Sequence, residues 1–296
     1  MATDNVEATS LLGAPLRTPE FADEARGRLE GQYAEARAGY DAHPDDAEAI
    51  LLLGQRAGYL GRMREAITLF GEGMTKHPED PRFPRYRGHR HLSVRRFDRA
   101  IADLEGATRL VEGQPPQPEL PAGAAKGTPT TTTLQFSIWY HLGLARYLSR
   151  GFAEAAAAYA ACTPFAPDDD PLVAVTHWHY MASRRAGDVA GADRVLAPIH
   201  PDMQVAENVP YYRLCLLYAG VLAPEAVLDF KEGESGMDAA LQDATAGYGV
   251  GNWHLYGGRR AEAGAIFRRI LDATPPGIAQ FAFGYIAAEA EVAETQ

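Results

Sequence analysis

Lysine, cysteine and long apolar runs are all scarce in this sequence of 296 residues. Three of its 28 basic residues are lysines (Lys76, Lys126 and Lys231), and 39 acidic residues bring the net charge to -11. Binding to a nucleic-acid backbone requires a basic surface, which such a composition does not favour. We therefore predict that nucleic acid is not a partner.

The two cysteines, Cys162 and Cys215, are isolated from each other and do not form the pattern of a disulfide framework. No apolar stretch approaches the length needed to cross a membrane. Residues 1–18 contain Asp4 and Glu7 and lack the basic start and apolar run of a secretion signal. These features predict a cytoplasmic protein with no membrane partner, and the abundance of Arg, Ala and Gly over Lys favours a bacterial source.

What the sequence does contain is an internal repeat with a period of 34 residues. Gly54 recurs as Gly88, and Ala66 recurs as Ala100. A small residue in each of two helices lets the helices approach closely. Self-similarity at this period therefore predicts units made of a helix, a tight turn and a second helix.

The repeat pattern is clearest further along the chain, at Trp139, Leu142, Gly143, Tyr147, Ala155, Tyr159, Cys162 and Pro167. Their types and spacing resemble the tetratricopeptide repeat family, whose first helix carries an aromatic residue and Leu-Gly. The second helix of that repeat carries Ala, an aromatic residue, a small residue and Pro. The resemblance implies an all-α fold, a right-handed α-α superhelix of about six to seven helical pairs plus a C-terminal capping helix.

The predicted organisation is an N-terminal tail at 1–18 and a single solenoid domain at 19–296. The first pair is predicted to turn at 31–33. The acidic residues near the end, Glu289, Glu291 and Glu294, are expected to help the last helix close the apolar face from water. The repeats are placed at about 19–46, 47–80, 81–114, 136–169, 173–206, 207–243 and 244–277, with the cap at 278–296.

Two segments interrupt the repeats. Residues 113–133 are rich in Pro, Gly and Thr and form an inserted loop, which is either a solvated excursion or a flap that folds over the groove. Residues 231–243 are polar, and they are compatible with a loop or with an extra helix.

In the family that the repeats resemble, the first helices line a concave groove. Glu48 is the one acid that we find at the groove positions, where Arg, His and Tyr dominate. Arginine grips carboxylates and phosphates with two parallel hydrogen bonds, which favours an anionic ligand; the alternative is that these side chains pair with acidic neighbours. The residues predicted to bind the ligand are Arg82, Arg85, His89, Tyr140, Tyr147, His177, Arg184, Tyr211, Tyr248 and Asn252.

The resemblance therefore implies a protein-protein interaction scaffold that binds an acidic peptide or another protein. Some family members grip the C-terminal carboxylate of chaperones through Lys and Asn, but Arg85 and His89 stand at those places here. The alternative function is a small-molecule binder or an enzyme with an acid-base site in the same groove. The residues of that site would be His89, Tyr140, His177, Tyr211 and Cys215. A homo-oligomer is compatible with either function.

Catalysis is less favoured than binding, because no nucleophile, base and orienting group can be linked by their spacing. The pairs His89/His91 and His177/His179 do not predict a metal site. Residues two apart on a helix point about 200° apart and cannot chelate one ion. We predict no cofactor and no metal.

Overall fold

The computed structural model describes residues 5–120, 132–229, 236–273 and 277–295. These residues form consecutive antiparallel helical pairs, as the repeat pattern predicts. The chain divides into two compact units, which we call the N-terminal unit (Met1–His141 with Pro276–Ile278) and the C-terminal unit (Leu142–Pro275 with Ala279–Gln296). None of the described helices is long and apolar enough to span a membrane.

The N-terminal unit begins with a short antiparallel β-hairpin and continues with helices that pack against their sequence neighbours. Its core includes Ile50, Leu53 and Phe83, none of which is exposed to solvent. The elements are β1 (Val6–Thr9), β2 (Pro15–Arg17), α1 (Asp23–Ala42), α2 (Ala47–Tyr59), α3 (Met63–Lys76), α4 (Arg82–Ser93), α5 (Phe97–Leu110) and most of the residues of α6 (Leu134–Leu148), which continues into the C-terminal unit.

The start of the chain differs from the prediction in two respects. Residues 6–17 form the β-hairpin, and the side chain of Glu7 accepts a hydrogen bond from the backbone N–H of Arg64 at the start of α3 (2.8 Å). The predicted turn at 31–33 is wrong, because α1 runs through it without interruption. Ala36 is buried on α1, so this helix packs as a single element against the first helical pair.

The C-terminal unit contains the remaining helices and two short 3-10 turns, at Thr163–Phe165 and Ile278–Phe281. Ile278, the first residue of the second turn, is assigned to the N-terminal unit. Residues 236–243, which the sequence left undecided, belong to the long helix α12. The helices are α7 (Phe152–Cys162), α8 (Asp169–Arg185), α9 (Val189–Val195), α10 (Val209–Tyr218), α11 (Pro224–Leu228), α12 (Gly236–Tyr256), α13 (Arg260–Ala273) and α14 (Phe283–Glu294).

Each helical pair turns through a residue in the left-handed backbone conformation. These turn residues are Gly61, Arg95, Arg150, Gly187, Gly220 and Gly258. Two of them are arginines, with φ of 60° at Arg95 and 68° at Arg150. A residue with a Cβ is strained in this conformation by about 1–2 kcal/mol. Arg150 therefore holds a strained backbone conformation that glycine would adopt without strain.

Close packing between paired helices explains the repeated glycines. A Cβ atom added at Gly88 would lie 2.7 Å from Cγ of Leu104, and one added at Gly143 would lie 2.5 Å from Cε1 of Tyr159. Real Cβ atoms essentially never make such short contacts. The small residue of the first helix thus meets the large residue of the second, in the register that the repeat pattern indicates.

The last helix, α14, packs along both α12 and α13. Gly284 fits against the backbone of Ala244 on α12, where a side chain would clash. Glu289 and Glu291 are only 1% and 7% exposed, so these two acids are buried in the packing of this helix. Only Glu294 of the three is exposed.

Candidate functional site

In the N-terminal unit, the two predicted arginines already have acidic partners. Arg82 pairs with Asp80 and with Glu48, each at 2.6 Å. Arg85 is buried, with its Nε 2.8 Å from Glu119 and its Nη2 donating to the same carboxylate at 3.1 Å. The alternative in which basic groove residues pair with acidic neighbours therefore applies to both arginines.

Glu119 is held in place by the two ends of the inserted loop, residues 114–119 and 132–133, which we call the strap. The backbone N–H of Glu119 donates to the carbonyl of Thr132 (3.1 Å), and the N–H of Leu134 donates to the carbonyl of Gln117 (2.8 Å). The buried Gln135 side chain bonds to the backbone of Gln117 and Pro115. The strap is joined to the unit by these hydrogen bonds. The rest of the predicted loop or flap, residues 121–131, lies outside the described residues.

The predicted residues His89 and Tyr140 lie together beside Arg85. The rings of His89 and His141 are 4.4 Å apart, and Tyr140 meets His141 edge-on at 5.6 Å. Burial and the positive charge of Arg90 hold the pKa of His89 well below its ordinary value, and burial and the charge of Arg85 do the same to the pKa of His141. Both histidines are thus kept neutral at physiological pH, and they act as packing rather than as charges that could attract an anion.

In the C-terminal unit, four predicted ligand-binding residues are in the core. Tyr147, His177, Tyr248 and Asn252 are each no more than 2% exposed. The hydroxyl of Tyr248 donates to that of Tyr147 (2.8 Å). Desolvation lowers the pKa of His177 to about 3, so it stays neutral; its ring lies 4.9 Å from the tilted ring of Tyr211 and stacks on Tyr218 at 5.8 Å. These side chains lack the exposure that an open groove would give them.

Helix α14 brings a carboxylate into this region, where the hydroxyl of Tyr248 lies 3.4 Å from Oε1 of Glu291. Arg185 donates to both oxygens of Glu291, at 2.6 and 3.3 Å, and also to Oδ1 of Asn252 at 2.9 Å. Arg150 approaches the same carboxylate at 2.9 Å and also pairs with Glu294. The protein's own C-terminal helix thus supplies the anion for these two arginines.

Beside this ion-pair cluster lies a cavity of about 740 Å³, which we call the arginine pocket. Its wall contains five arginines and two glutamates. Its residues are Arg150, Arg184, Arg185, Leu255, Tyr256, Arg260, Ala263, Gly264, Phe267, Arg268, Glu291, Val292, Glu294 and Thr295. The pocket is therefore strongly positive in an acidic protein.

Arg184 is the residue of this pocket that the sequence predicted. Its guanidinium lies over the ring of Tyr256 at 4.5 Å, and Nη1 donates to the hydroxyl of Tyr180 at 3.1 Å. Its Nε is buried without a hydrogen-bond partner among the described residues. Among the residues that the structure describes, no carboxylate oxygen lies within 4.0 Å of the guanidinium nitrogens of Arg184, Arg260 or Arg268.

The ligand-binding residues predicted from the sequence do not include several residues of the pocket. Arg260 and Arg268 lie on α13, the second helix of its pair, whereas the prediction chose first helices. A signal was present: Arg260, Gly264 and Arg268 are spaced by four residues and so share one face of a helix. Glu291 was assigned to a cap and could not be paired with Arg185 from sequence separation alone.

The acid-base constellation considered from the sequence does not come together in one unit. His89 and Tyr140 belong to the N-terminal unit, and His177, Tyr211 and Cys215 belong to the C-terminal unit. Cys215 is buried, and desolvation raises the pKa of its thiol. Within the described residues, no group of three or more His, Cys, Asp and Glu side chains could hold a metal ion.

Comparison with solved structures places this architecture among known folds. A tetratricopeptide repeat protein from Parabacteroides merdae matches with a TM-score of 0.50 at 10% identity, over 89% of this chain and 94% of that one. The APC/C hetero-tetramer Cut9-Hcn1 matches with a TM-score of 0.51 at 15% identity, over 84% of this chain and 44% of that one. No protein-family model and no curated protein matches the sequence. The chain has the tetratricopeptide repeat fold, which confirms the prediction.

Proposed function

We propose that this protein is a protein-interaction scaffold that binds an acidic segment of another protein in the arginine pocket of its C-terminal unit. The observation that carries the proposal is that Arg184, Arg260 and Arg268 line one cavity with no carboxylate beside them in the described part of the chain. Guanidinium groups that line one cavity repel one another, and an incoming carboxylate relieves that repulsion while accepting two hydrogen bonds.

The dimensions and lining of the pocket agree with this role. A cavity of about 740 Å³ is large enough for a few residues of an extended segment. Leu255, Val292 and the ring of Tyr256 offer apolar contact next to the charges. A tetratricopeptide repeat fold suits such a role, and Cut9-Hcn1, which has a similar fold, is a hetero-tetramer. The acidic partner and the cytoplasmic location stay predictions.

The test compares two charge reversals of equal size. The variant Arg184→Glu with Arg268→Glu reverses two pocket charges, and the control Arg194→Glu with Arg269→Glu reverses two exposed charges of the same unit outside the pocket. Binding of an aspartate- and glutamate-rich peptide, followed by isothermal titration calorimetry, should weaken at least about tenfold in the first and remain near wild type in the second.

Salt provides a second readout. The wild-type affinity should fall as the salt concentration rises, because exposed charges are screened. Equal affinities for the two double variants, with both still folded by circular dichroism, would show that the pocket does not bind the peptide and that the attraction is a general effect of surface charge.

A further inference from the structure

The charge balance of the arginine pocket indicates what kind of acidic group it receives. Five arginines against two glutamates leave a surplus of three positive charges. A single carboxylate offsets one of them. A phosphomonoester carries close to two negative charges at neutral pH and three acceptor oxygens. One phosphate next to one carboxylate therefore balances the pocket.

The acidic side chains that line the pocket do not neutralise all of its arginines. Glu291 is engaged by Arg185 and Arg150, and its side chain is only 7% exposed. Glu294 pairs with Arg150 but is 57% exposed, so it sits at the rim of the pocket. The described acids of the pocket thus leave Arg184, Arg260 and Arg268 unmatched.

Donor geometry points the same way. Arg184 is held by Tyr180 and Tyr256, so its guanidinium is oriented before any ligand arrives. On α13, the small residue Gly264 lies beside the guanidinium of Arg268, whose Nη2 would be 3.4 Å from a Cβ atom added at this glycine. Planar guanidinium forks match the oxygens of a phosphate better than an ammonium would.

We infer that the arginine pocket recognises a phosphorylated side chain, phosphoserine or phosphothreonine, followed by an acidic residue on the partner's segment. This inference rests on the proposed function and names the group that the site selects. Recognition of phosphate by clustered arginines follows the same physical chemistry as other phosphopeptide sites.

The experiment titrates the full-length protein with two short capped peptides that are identical except at one position. One holds phosphoserine followed by glutamate, and the other holds glutamate at both positions. At equal ionic strength, the phosphopeptide should bind about tenfold more tightly. Arg184→Gln and Arg268→Gln should each remove most of that preference, whereas Arg269→Gln, an exposed neighbour outside the pocket, should keep it.

The variant Glu294→Gln should raise the affinity for the phosphopeptide, whereas the arginine variants lower it. Removing this rim carboxylate frees Arg150 and lowers repulsion, so the phosphopeptide should bind about two- to threefold more tightly. A role for Glu294 in structure alone would not strengthen binding. Unchanged or weaker binding by this variant would count against the inference.

The remaining outcomes separate the inference from the function on which it rests. Equal binding of both peptides at the pocket would overturn phosphate recognition and leave the acidic-segment scaffold intact. Failure of both peptides to bind would overturn both proposals. Inorganic phosphate is the third probe; if it binds as tightly as the phosphopeptide, the site takes a free anion and the inference of a phosphorylated partner segment is overturned.

Discussion

The N-terminal and C-terminal units each place an arginine of a first helix against a glutamate from outside the helical pairs. In the N-terminal unit, Arg85 meets Glu119 of the strap. In the C-terminal unit, Arg185 meets Glu291 of α14. The acids that are rare at the groove positions are thus supplied by other parts of the same chain. A shortage of acid in one set of positions does not by itself indicate an external ligand.

The two units differ in what is left after this internal pairing. Arg85 and Glu119 balance each other one to one in a buried contact. Around Glu291, by contrast, two arginines share one carboxylate and further arginines line the cavity alongside. Arg90 of the N-terminal unit bonds to Met63 and His89 rather than to a carboxylate of the described residues, but it does not line the arginine pocket. The comparison indicates that unmatched charges mark a binding site where they line a cavity, as they do in the C-terminal unit.

The largest effect should come from Glu291→Gln. The carboxylate accepts hydrogen bonds from Arg185 and lies 2.9 Å from Arg150, and removing its charge leaves both cations with an amide. Loss of one partner of a buried ion pair costs about 3–5 kcal/mol. We expect a correspondingly lower midpoint in urea denaturation. Glu294→Gln, with a largely exposed side chain, is the control and should change stability by less than about 1 kcal/mol.

A smaller effect is expected from Glu119→Gln, which breaks the corresponding pair in the N-terminal unit. Arg85 would lose its carboxylate, but its guanidinium also lies 4.3 Å from the ring of Tyr86 and keeps that contact. A loss of about 2–3 kcal/mol is expected. Hydrogen exchange should show the strap loosened while the C-terminal unit is unaffected. A loss as large as that of Glu291→Gln would contradict the difference drawn between the units.

The smallest loss of stability is expected from filling the close helix crossing that both units contain. Gly88→Leu in the N-terminal unit and Gly143→Leu in the C-terminal unit both push a side chain into Leu104 or Tyr159. Overpacking of this kind costs about 1–3 kcal/mol, and thermal melts should show similar losses for both. Gly39→Leu on α1, where no atom lies within 4 Å, is the matched control and should cost little. Unequal losses at the first two sites would show that the helices of the two units are not packed by the same rule.

The sequence by itself determined the repeat fold. Gly54 and Gly88 indicate close helix crossings because only a missing side chain allows them, and that requirement is local enough to be visible in a 34-residue spacing. That Arg184 binds a ligand stays a prediction. The repeat pattern was wrong at 31–33, since a continuous helix and a broken pair differ there only in how α1 packs against later helices.

Only the tertiary structure decided which charged groups are paired within the chain and which remain unmatched. Arg185 and Glu291 are separated by more than a hundred residues, and their pairing depends on α14 lying along α12 rather than ending the stack as a solvated cap. The same long-range packing sets Tyr248 beside Glu291 and Asn252 beside Arg185. Local sequence sets which faces of a helix are apolar, but the partner of a buried charge is chosen by long-range contacts, because the free energy of desolvation depends on every group that surrounds it.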